Sequence, residues 1–179
     1  MKRLDEIKEY AWKCHNDTNH MYGDKPYTYH LLSVANIASH MIECHYQDDI
    51  DFHTQCVIRA VCYCHDIIED ARETFNDVLK ATDSLRIADM VYALTNEKGK
   101  NRAERANDKY YEGIRECEWA SFVKLCDRIA NVTESKREGS SMFGKYRREN
   151  AEFVEKVVAE DMRVFYKPLI DELNSLLEI

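Results

Sequence analysis

The sequence predicts an all-α protein, a helical bundle that forms a single domain over residues 1–179. Three observations support this fold class. Glycine and proline are scarce, with 5 and 2 in the whole chain, and Asn-Gly or Asp-Gly turns are absent. A β-sheet protein would need such turn residues often. Apolar residues recur at helical spacing along the chain, whose length suits one domain with a sizeable core.

The first half of the chain alternates apolar helical stripes with polar segments. The predicted elements are a helix over 2–16, a polar loop over 17–29, a helix from His30, a continuous helix over 50–69 and a helix over 75–81. Pro26 disfavours helix at the end of the loop because it restricts the residue before it. Thr74 and Asp77 have the spacing of a capping box, which places a helix start there.

The second half shows the same periodicity with more polar interruptions. The predicted elements are a helix over 84–95, a hydrophilic loop running into a polar helix over 95–108, a buried helix over 121–132, a mobile stretch over 137–144 and one or two final helices over 145–178. Gly99 supports the loop, and Pro168 is expected to break the final helical region.

Composition and charge exclude several classes of protein. The formal net charge of −8 argues against nucleic-acid binding through bulk charge. Apolar runs stay well short of the roughly 20 residues that a membrane span needs. The charged N-terminus lacks the apolar stretch of a signal peptide, which predicts a cytoplasmic protein. Seven cysteines without a CxxC pair indicate reduced thiols rather than a disulfide framework.

A cluster of titratable residues follows the apolar run VIRAVCYC. His65 and Asp66 come first, and Glu69 and Asp70 follow one helical turn later, so that residues four apart would stack. Three carboxylates against an apolar helix repel one another and resist desolvation. A divalent cation removes this conflict, because it accepts an imidazole and a carboxylate from adjacent positions. The alternative is an exposed acidic helix end.

Two further segments strengthen the prediction of a metal site. His30 opens an apolar helix directly after a loop, where its side chain can face a cleft. Asp127 lies within the apolar segment FVKLCDRIANV, and Asn131 is four residues on, on the same helix face. Buried Asp and Asn side chains are costly without partners. A metal ion for Asp127, and a substrate or water molecule for Asn131, would satisfy both.

The order of these residues resembles a known family. The matching stretches are PYTYH (26–30), CHDIIED (64–70), ALTNE (93–97) and KLCDRIANV (124–132). Together they resemble the HD superfamily of metal-dependent phosphohydrolases. The likeness is closer to the hydrolase domain of RelA/SpoT-type enzymes and to small alarmone hydrolases, and it extends over about residues 8–155. It implies an HD-type helical bundle.

The resemblance also implies roles for individual residues. One metal ion, commonly manganese in this family, would be held by His30, His65, Asp66 and Asp127. Glu69 and Asp70 would position and activate the attacking water, and Asn131 would contact a nucleotide substrate. The family removes pyrophosphate from the 3′ position of guanosine tetra- or pentaphosphate. The donor set alone equally suits iron or zinc.

The histidine distribution favours a single metal ion. HD enzymes with two metals use extra histidines between the HD pair and the final Asp, and the sequence between Asp66 and Asp127 has none. The remaining histidines, all before the motif, are interpreted as surface or helix-face residues; they are His15, His20, His40, His45 and His53.

Two basic segments are candidates for phosphate contact in this acidic chain. Residues 136–148 hold five basic residues and one acidic, and residues 95–107 hold four basic and two acidic. The candidate substrate contacts within them are Lys98, Arg102, Arg105, Lys145 and Arg147. A solvated helix surface is the alternative interpretation of either segment.

The chain departs from alarmone hydrolases at positions that bear on the substrate. Met21 and Tyr22 stand where those enzymes usually carry an Arg-Lys pair, while Ala71 and Thr133 replace a frequent Thr and Arg. A small-molecule nucleotide is expected, but another substrate, a nucleoside polyphosphate or a molecule like NADPH, remains an alternative. So do a nucleotide-binding protein without turnover and a helical interaction module.

Overall fold

The computed structural model describes the backbone of residues 1–179 and the side chains of all of them except positions 102 and 103. Its architecture is all-α, as predicted. The elements are α1 (Leu4–Asp17), β1 (Met21–Tyr22), β2 (Lys25–Pro26), α2 (Thr28–Met41), a π-helical turn (Ile42–Tyr46), α3 (Phe52–Cys64), α4 (Ile67–Asp70), α5 (Phe75–Thr82), α6 (Leu85–Leu94), α7 (Arg102–Arg105), α8 (Asp108–Glu116), α9 (Ala120–Arg137), α10 (Ser141–Val157), a 3₁₀ turn (Glu160–Met162) and α11 (Lys167–Leu177).

Helix α9 lies at the centre of the bundle. It packs against α2, α10 and α11, and it also touches α3, α6 and α8. Its apolar side chains are fully or almost fully buried, including Phe122, Leu125, Ile129 and Val132. Burying each of these contributes about 1.5–3 kcal/mol. The predicted buried helix over 121–132 is therefore confirmed, and it extends to Arg137.

The prediction of a continuous helix over 50–69 is wrong. Helix α3 ends at Cys64 and α4 begins at Ile67, with His65 and Asp66 in the turn between them. Asp66 has φ −103° and ψ 3°, outside the helical range. The His65 imidazole compensates, because its Nδ1 lies 2.9 Å from the Cys62 carbonyl oxygen near the helix end.

The stretch over 137–144, predicted to be mobile, is partly helical. Helix α9 extends to Arg137 and α10 already begins at Ser141. Gly139 ends the preceding turn with φ +62°, and the Ser140 hydroxyl accepts from the Met142 N–H at 3.2 Å. The expected break of the final helical region near Pro168 is confirmed, because α10 ends at Val157 and α11 begins at Lys167. Pro168 lies in the first turn of α11, where no intrahelical N–H is needed.

The segment predicted as a polar loop over 17–29 contains a small hairpin. Its two short strands pair antiparallel, Met21 with Pro26 and Tyr22 with Lys25. Gly23 occupies the turn with φ +63°, a backbone conformation that glycine adopts without steric cost. The hairpin delivers the chain to the start of α2 and so lies beside His30.

The predicted capping box is confirmed, because Thr74 and Asp77 form it at the start of α5. Cys62, Cys64 and Cys126 are buried free thiols. Within the part of the chain that the structure describes, none of the helices has the length and apolar character needed to cross a membrane.

The structure predicts opposite effects for one substitution at two glycines. Gly139→Ala should lower the free energy of unfolding by about 1 kcal/mol, because alanine resists the left-handed φ at the end of α9. Gly113→Ala, inside α8 with open space around the added Cβ, should raise it by up to about 1 kcal/mol. Urea unfolding of both variants checks the prediction, and the same sign for both would contradict it.

Candidate metal centre

Three separate parts of the fold bring His30, His65 and Asp127 together. His30 lies in the first turn of α2, His65 in the turn after α3, and Asp127 in the middle of α9. Each side chain is buried, and each offers a ligand atom within 4.8 Å of the other two. A buried group of two imidazoles and a carboxylate at this spacing could hold a divalent metal ion.

Asp66 adds a second carboxylate to the group. Its Oδ2 lies 3.0 Å from Nε2 of His65 and 3.7 Å from Nε2 of His30. Across the group, Oδ1 of Asp127 lies 3.2 Å from Nε2 of His30 and 3.8 Å from Nε2 of His65. The four residues named as metal ligands from the sequence therefore face one another.

The orientation of His65 fits a metal ligand. Because its Nδ1 faces the Cys62 carbonyl oxygen at 2.9 Å, that nitrogen carries the proton of the neutral ring. The Nε2 lone pair then points at the carboxylates of Asp66 and Asp127. Among the described residues this buried Nε2 makes no well-aligned hydrogen bond, although Oδ2 of Asp66 lies 3.0 Å away. A cation between the lone pair and the carboxylate oxygens would satisfy all of them.

The charges of the group favour an added positive charge. Burial opposes ionisation of His65, but the carboxylates of Asp66 and Asp127 raise the pKa of its imidazole to about 9. Burial likewise opposes ionisation of Asp127, but Lys124, His30 and His65 hold the pKa of its carboxyl well below the usual range. The position thus attracts either a proton or a metal cation.

Neighbouring side chains hold the Asp127 carboxylate in place. Lys124, one turn earlier on α9, approaches Oδ2 at 3.0 Å, and the Asn131 amide donates to Oδ1 at 2.6 Å. Tyr22 in turn donates its O–H to Oδ1 of the Asn131 side chain at 2.8 Å. Asn131 therefore shares the face of Asp127, as predicted. Lys124 was missed, although its spacing of three residues from Asp127 would have indicated the contact.

Two tyrosines from the hairpin segment support the other ligands. Tyr27 donates its O–H to Asp66, and its ring is buried. Burial and the Asp66 carboxylate both raise the pKa of Tyr27, so the hydroxyl stays protonated. The Tyr22 ring stacks on the His30 imidazole with centroids 4.7 Å apart. Nothing in the sequence indicated these contacts, because they depend on how the polar segment folds back over α2.

Glu69 and Asp70 have different surroundings. Both oxygens of the Glu69 carboxylate accept from Asn96, at 2.6 Å from its backbone N–H and 2.9 Å from its side-chain amide. The Asp70 carboxylate instead faces Nε2 of His20 at 3.9 Å. Partial burial, with the nearby charges of Asp66 and Glu69, raises the pKa of Asp70 to about 6.

A cavity of about 300 Å³ opens beside Asp127. Its polar lining includes Glu69, Asn96, Arg105, Lys124, Arg128 and Asn131. Arg128, which the sequence did not single out, is buried on α9 between the rings of Tyr146 and Phe153, at 4.7 and 3.8 Å from their centroids. The cavity thus lies beside the candidate metal ligand Asp127 and carries positive charge suited to phosphate.

The structure separates the basic residues proposed for substrate contact. Arg105 lines the cavity beside Asp127, and Lys145 lines an adjoining one that shares Arg128. Arg147 instead donates to the Glu178 carbonyl oxygen at 3.1 Å, near the C-terminus. Lys98 is exposed in the segment between α6 and α7. The side chain of Arg102 lies outside the described residues.

Comparison with known proteins supports the motif-based interpretation. No protein-family model matches the chain. Guanosine-3′,5′-bis(diphosphate) 3′-pyrophosphohydrolase MESH1 from Danio rerio is 29% identical over 135 residues, which cover 75% of this chain and 69% of that protein. The chain resembles the HD-type phosphohydrolases. The all-α bundle and the buried His, His and Asp group are consistent with that resemblance.

The interpretation of the remaining histidines as surface or helix-face residues holds only in part. His40, His45 and His53 are exposed. His15, however, is fully buried, and it stacks with His20 and with Tyr27, a residue that contacts the metal group. The amphipathic pattern of α1 could place His15 on the inner face, but it could not identify the rings that cover it.

Tyr27 should affect metal binding without itself being a ligand. Tyr27→Phe removes the O–H that orients Asp66 and keeps the stacked ring, so the affinity for Mn²⁺ should fall about 10–100-fold. Titration calorimetry measures the change. Tyr29→Phe is the matched control, because the Tyr29 hydroxyl meets Glu134 at 3.4 Å rather than the metal group. Equal affinities in all three proteins would contradict the orienting role.

Proposed function

We propose that this protein is a metal-dependent phosphohydrolase that acts on a nucleotide. The first candidate reaction is removal of pyrophosphate from the 3′ position of guanosine 3′,5′-bis(diphosphate) or its pentaphosphate analogue. The proposal rests on one observation. The buried side chains of His30, His65 and Asp127 place their ligand atoms within 4.8 Å of one another, with Asp66 beside them. The similarity to MESH1 supports this choice of reaction.

In this proposal His30, His65, Asp66 and Asp127 hold one divalent ion. Manganese is the first candidate because it is common among HD enzymes, and iron or zinc would also suit two imidazoles and two carboxylates. Such an ion supplies Lewis acidity to a phosphoryl oxygen and makes water acidic enough to attack near neutral pH. Tyr27, Lys124 and Asn131 keep the two carboxylates in orientation.

Glu69 and Asp70, the acidic pair after the HD motif, are proposed to have different roles. Asp70 is proposed to accept the proton of the attacking water on a carboxylate oxygen, since its carboxylate is partly exposed, one turn after Asp66. Glu69 is proposed to hold the wall of the cavity, because both of its oxygens are already engaged by Asn96. That contact ties α4 to the segment after α6.

Positive charge in the cavity would bind the phosphate groups. Lys124 and Arg128 project from α9 on either side of Asp127, and Arg105 approaches from α7. Lys124 stays charged although it is largely buried, because the Asp127 carboxylate outweighs the burial and holds the pKa of Lys124 well above the usual range. Asn131 is proposed to contact the nucleotide from the same helix face.

The proposed function also implies a single domain and a cytoplasmic location. We assign residues 1–179 to one HD-type domain, because α9 packs against helices from both halves of the chain. A cytoplasmic location suits a nucleotide substrate, and the free cysteine thiols fit a reducing compartment.

Two isosteric substitutions should separate metal binding from proton transfer. Asp127→Asn should lose both the bound metal and hydrolysis, because it removes a ligand charge from the group. Asp70→Asn should keep near-stoichiometric metal while turnover falls about 10²–10⁴-fold, the usual loss when a general base is removed. Metal analysis and kcat on the same preparations measure both effects. Full turnover by Asp127→Asn would overturn the proposed centre.

A nucleotide panel with Mn²⁺ identifies the substrate. It contains guanosine tetra- and pentaphosphate, ordinary 5′-triphosphates and NADPH, with Asp70→Asn as the blank. Release of pyrophosphate from the first two supports the proposed reaction, and hydrolysis of another member alone would replace it. Metal and nucleotide binding without turnover of any of them would indicate a binding protein rather than an enzyme.

Arg105 and Arg147 give a matched test of the phosphate cavity. Arg105→Ala should raise KM about tenfold or more with kcat little changed, because it removes a charged contact from the cavity. Arg147→Ala removes the same charge near the C-terminus and should leave both constants unchanged. Steady-state kinetics on the substrate from the panel compare them. An equal rise in KM for both variants would point to long-range charge rather than contact.

A further inference from the structure

A pair of histidines lies next to the proposed catalytic carboxylate. His15 belongs to the last turn of α1, and His20 follows at the entry to the hairpin. Asn19 between them has φ +51°, which reverses the chain so that the His20 N–H donates to the His15 carbonyl oxygen at 3.0 Å. The reversal brings the two imidazoles side by side, with their Nδ1 atoms 3.0 Å apart and 26° between the ring planes.

Stacking against Tyr27 fixes the orientation of both rings. The His20 imidazole lies 3.8 Å from the Tyr27 ring at an angle of 16°, and the His15 imidazole lies 4.6 Å from it at 23°. The Tyr27 N–H also donates to the His20 carbonyl oxygen at 3.1 Å. His20 therefore has a defined ring plane although its side chain is 26% exposed.

The surroundings of His15 determine which nitrogen carries its proton. Burial lowers the pKa of His15 to about 4, so its imidazole is neutral near pH 7. Its Nε2 is buried and, among the described side chains and backbone, has no hydrogen-bond partner. A proton there would be an unsatisfied donor, which costs more than a bare lone pair. His15 thus carries its proton on Nδ1 and donates it to Nδ1 of His20.

That donation fixes the tautomer of His20 as well. Burial lowers the pKa of His20, so the ring is neutral near pH 7, and an accepting Nδ1 leaves its proton on Nε2. This Nε2 faces Oδ2 of Asp70 at 3.9 Å. This distance is longer than a hydrogen bond, but catalytic contacts are often long before substrate binds and shorten in the complex.

We propose that His20 is a positioning residue for Asp70, and that His15 holds it in the required tautomer. The His20 Nε2–H donates to the Asp70 carboxylate and orients its other oxygen toward the attacking water. The link to catalysis rests on the proposed function, whereas the tautomer does not. This arrangement resembles the way a buried partner fixes the tautomer of a working histidine in other active sites.

The tautomer can be measured without any activity. The full-length protein, labelled with ¹⁵N and loaded with diamagnetic Zn²⁺, is studied by long-range ¹H–¹⁵N correlation of its imidazoles near pH 7. The expected result is His15 with its proton on Nδ1 and His20 with its proton on Nε2. His15→Leu should return His20 to a mixture of tautomers. A proton on Nδ1 of His20 in the unsubstituted protein would overturn the proposal, even if His15→Leu does not fold.

Kinetics then test the link to Asp70. His20→Leu should lower kcat about tenfold, the effect of one hydrogen bond to a charged group, with KM and metal content unchanged. His20→Gln keeps an N–H donor at nearly the same reach and should recover most of that loss. Equal losses in both variants would mean that His20 only fills space. If the unsubstituted protein hydrolyses no nucleotide, the proposed function fails, while the tautomer result still stands or falls by itself.

Discussion

The structure depends on the burial of two carboxylates and two imidazoles at one point. Asp66 and Asp127 are brought from water into the centre of the bundle, where ionised groups are costly unless they are paired and hydrogen bonded. Each therefore has a dedicated neighbour: Tyr27 donates to Asp66, and Lys124 approaches Asp127. At Asp127, Lys124 contacts Oδ2 and Oδ1 is directed at His30 and His65. At Asp66 the same oxygen, Oδ2, accepts from Tyr27 and faces the two imidazoles. Carboxylate oxygens directed at imidazole nitrogens are the condition for binding a cation.

A local break in the backbone after α3 brings the ligand side chains into this arrangement. Helix α3 stops at Cys64, and the break lets the consecutive side chains of His65 and Asp66 face the same point, which an unbroken helix would not allow because neighbours point about 100° apart. The carbonyl left at the helix end then binds Nδ1 of His65. The break after α3 thus directs the side chains of His65 and Asp66 at one point and also fixes the tautomer of the His65 imidazole.

The sequence could predict whatever depends on local pattern. The helical stripes predicted the fold class. The resemblance to the HD superfamily, carried by the order of His30, His65-Asp66 and Asp127, identified the residues that meet. It could not predict the helix break, because the apolar periodicity continues through it. The roles of Tyr27 and His15 depend on a polar segment folding back onto α1 and α2, and such long-range packing leaves no periodic signal.

Helix α9 explains how the proposed metal ligands and the proposed phosphate-binding cavity keep a fixed spacing. Lys124, Asp127, Arg128 and Asn131 all lie on this one buried helix, so their spacing is fixed by its geometry rather than by loops. At the hairpin, by contrast, Tyr22 contributes a neutral hydroxyl to Asn131 where alarmone hydrolases usually have a cationic pair. Under the proposed function, recognition of a phosphorylated substrate would then depend more on α9. Any change in substrate preference is therefore expected at the nucleoside end and not at the reacting phosphate.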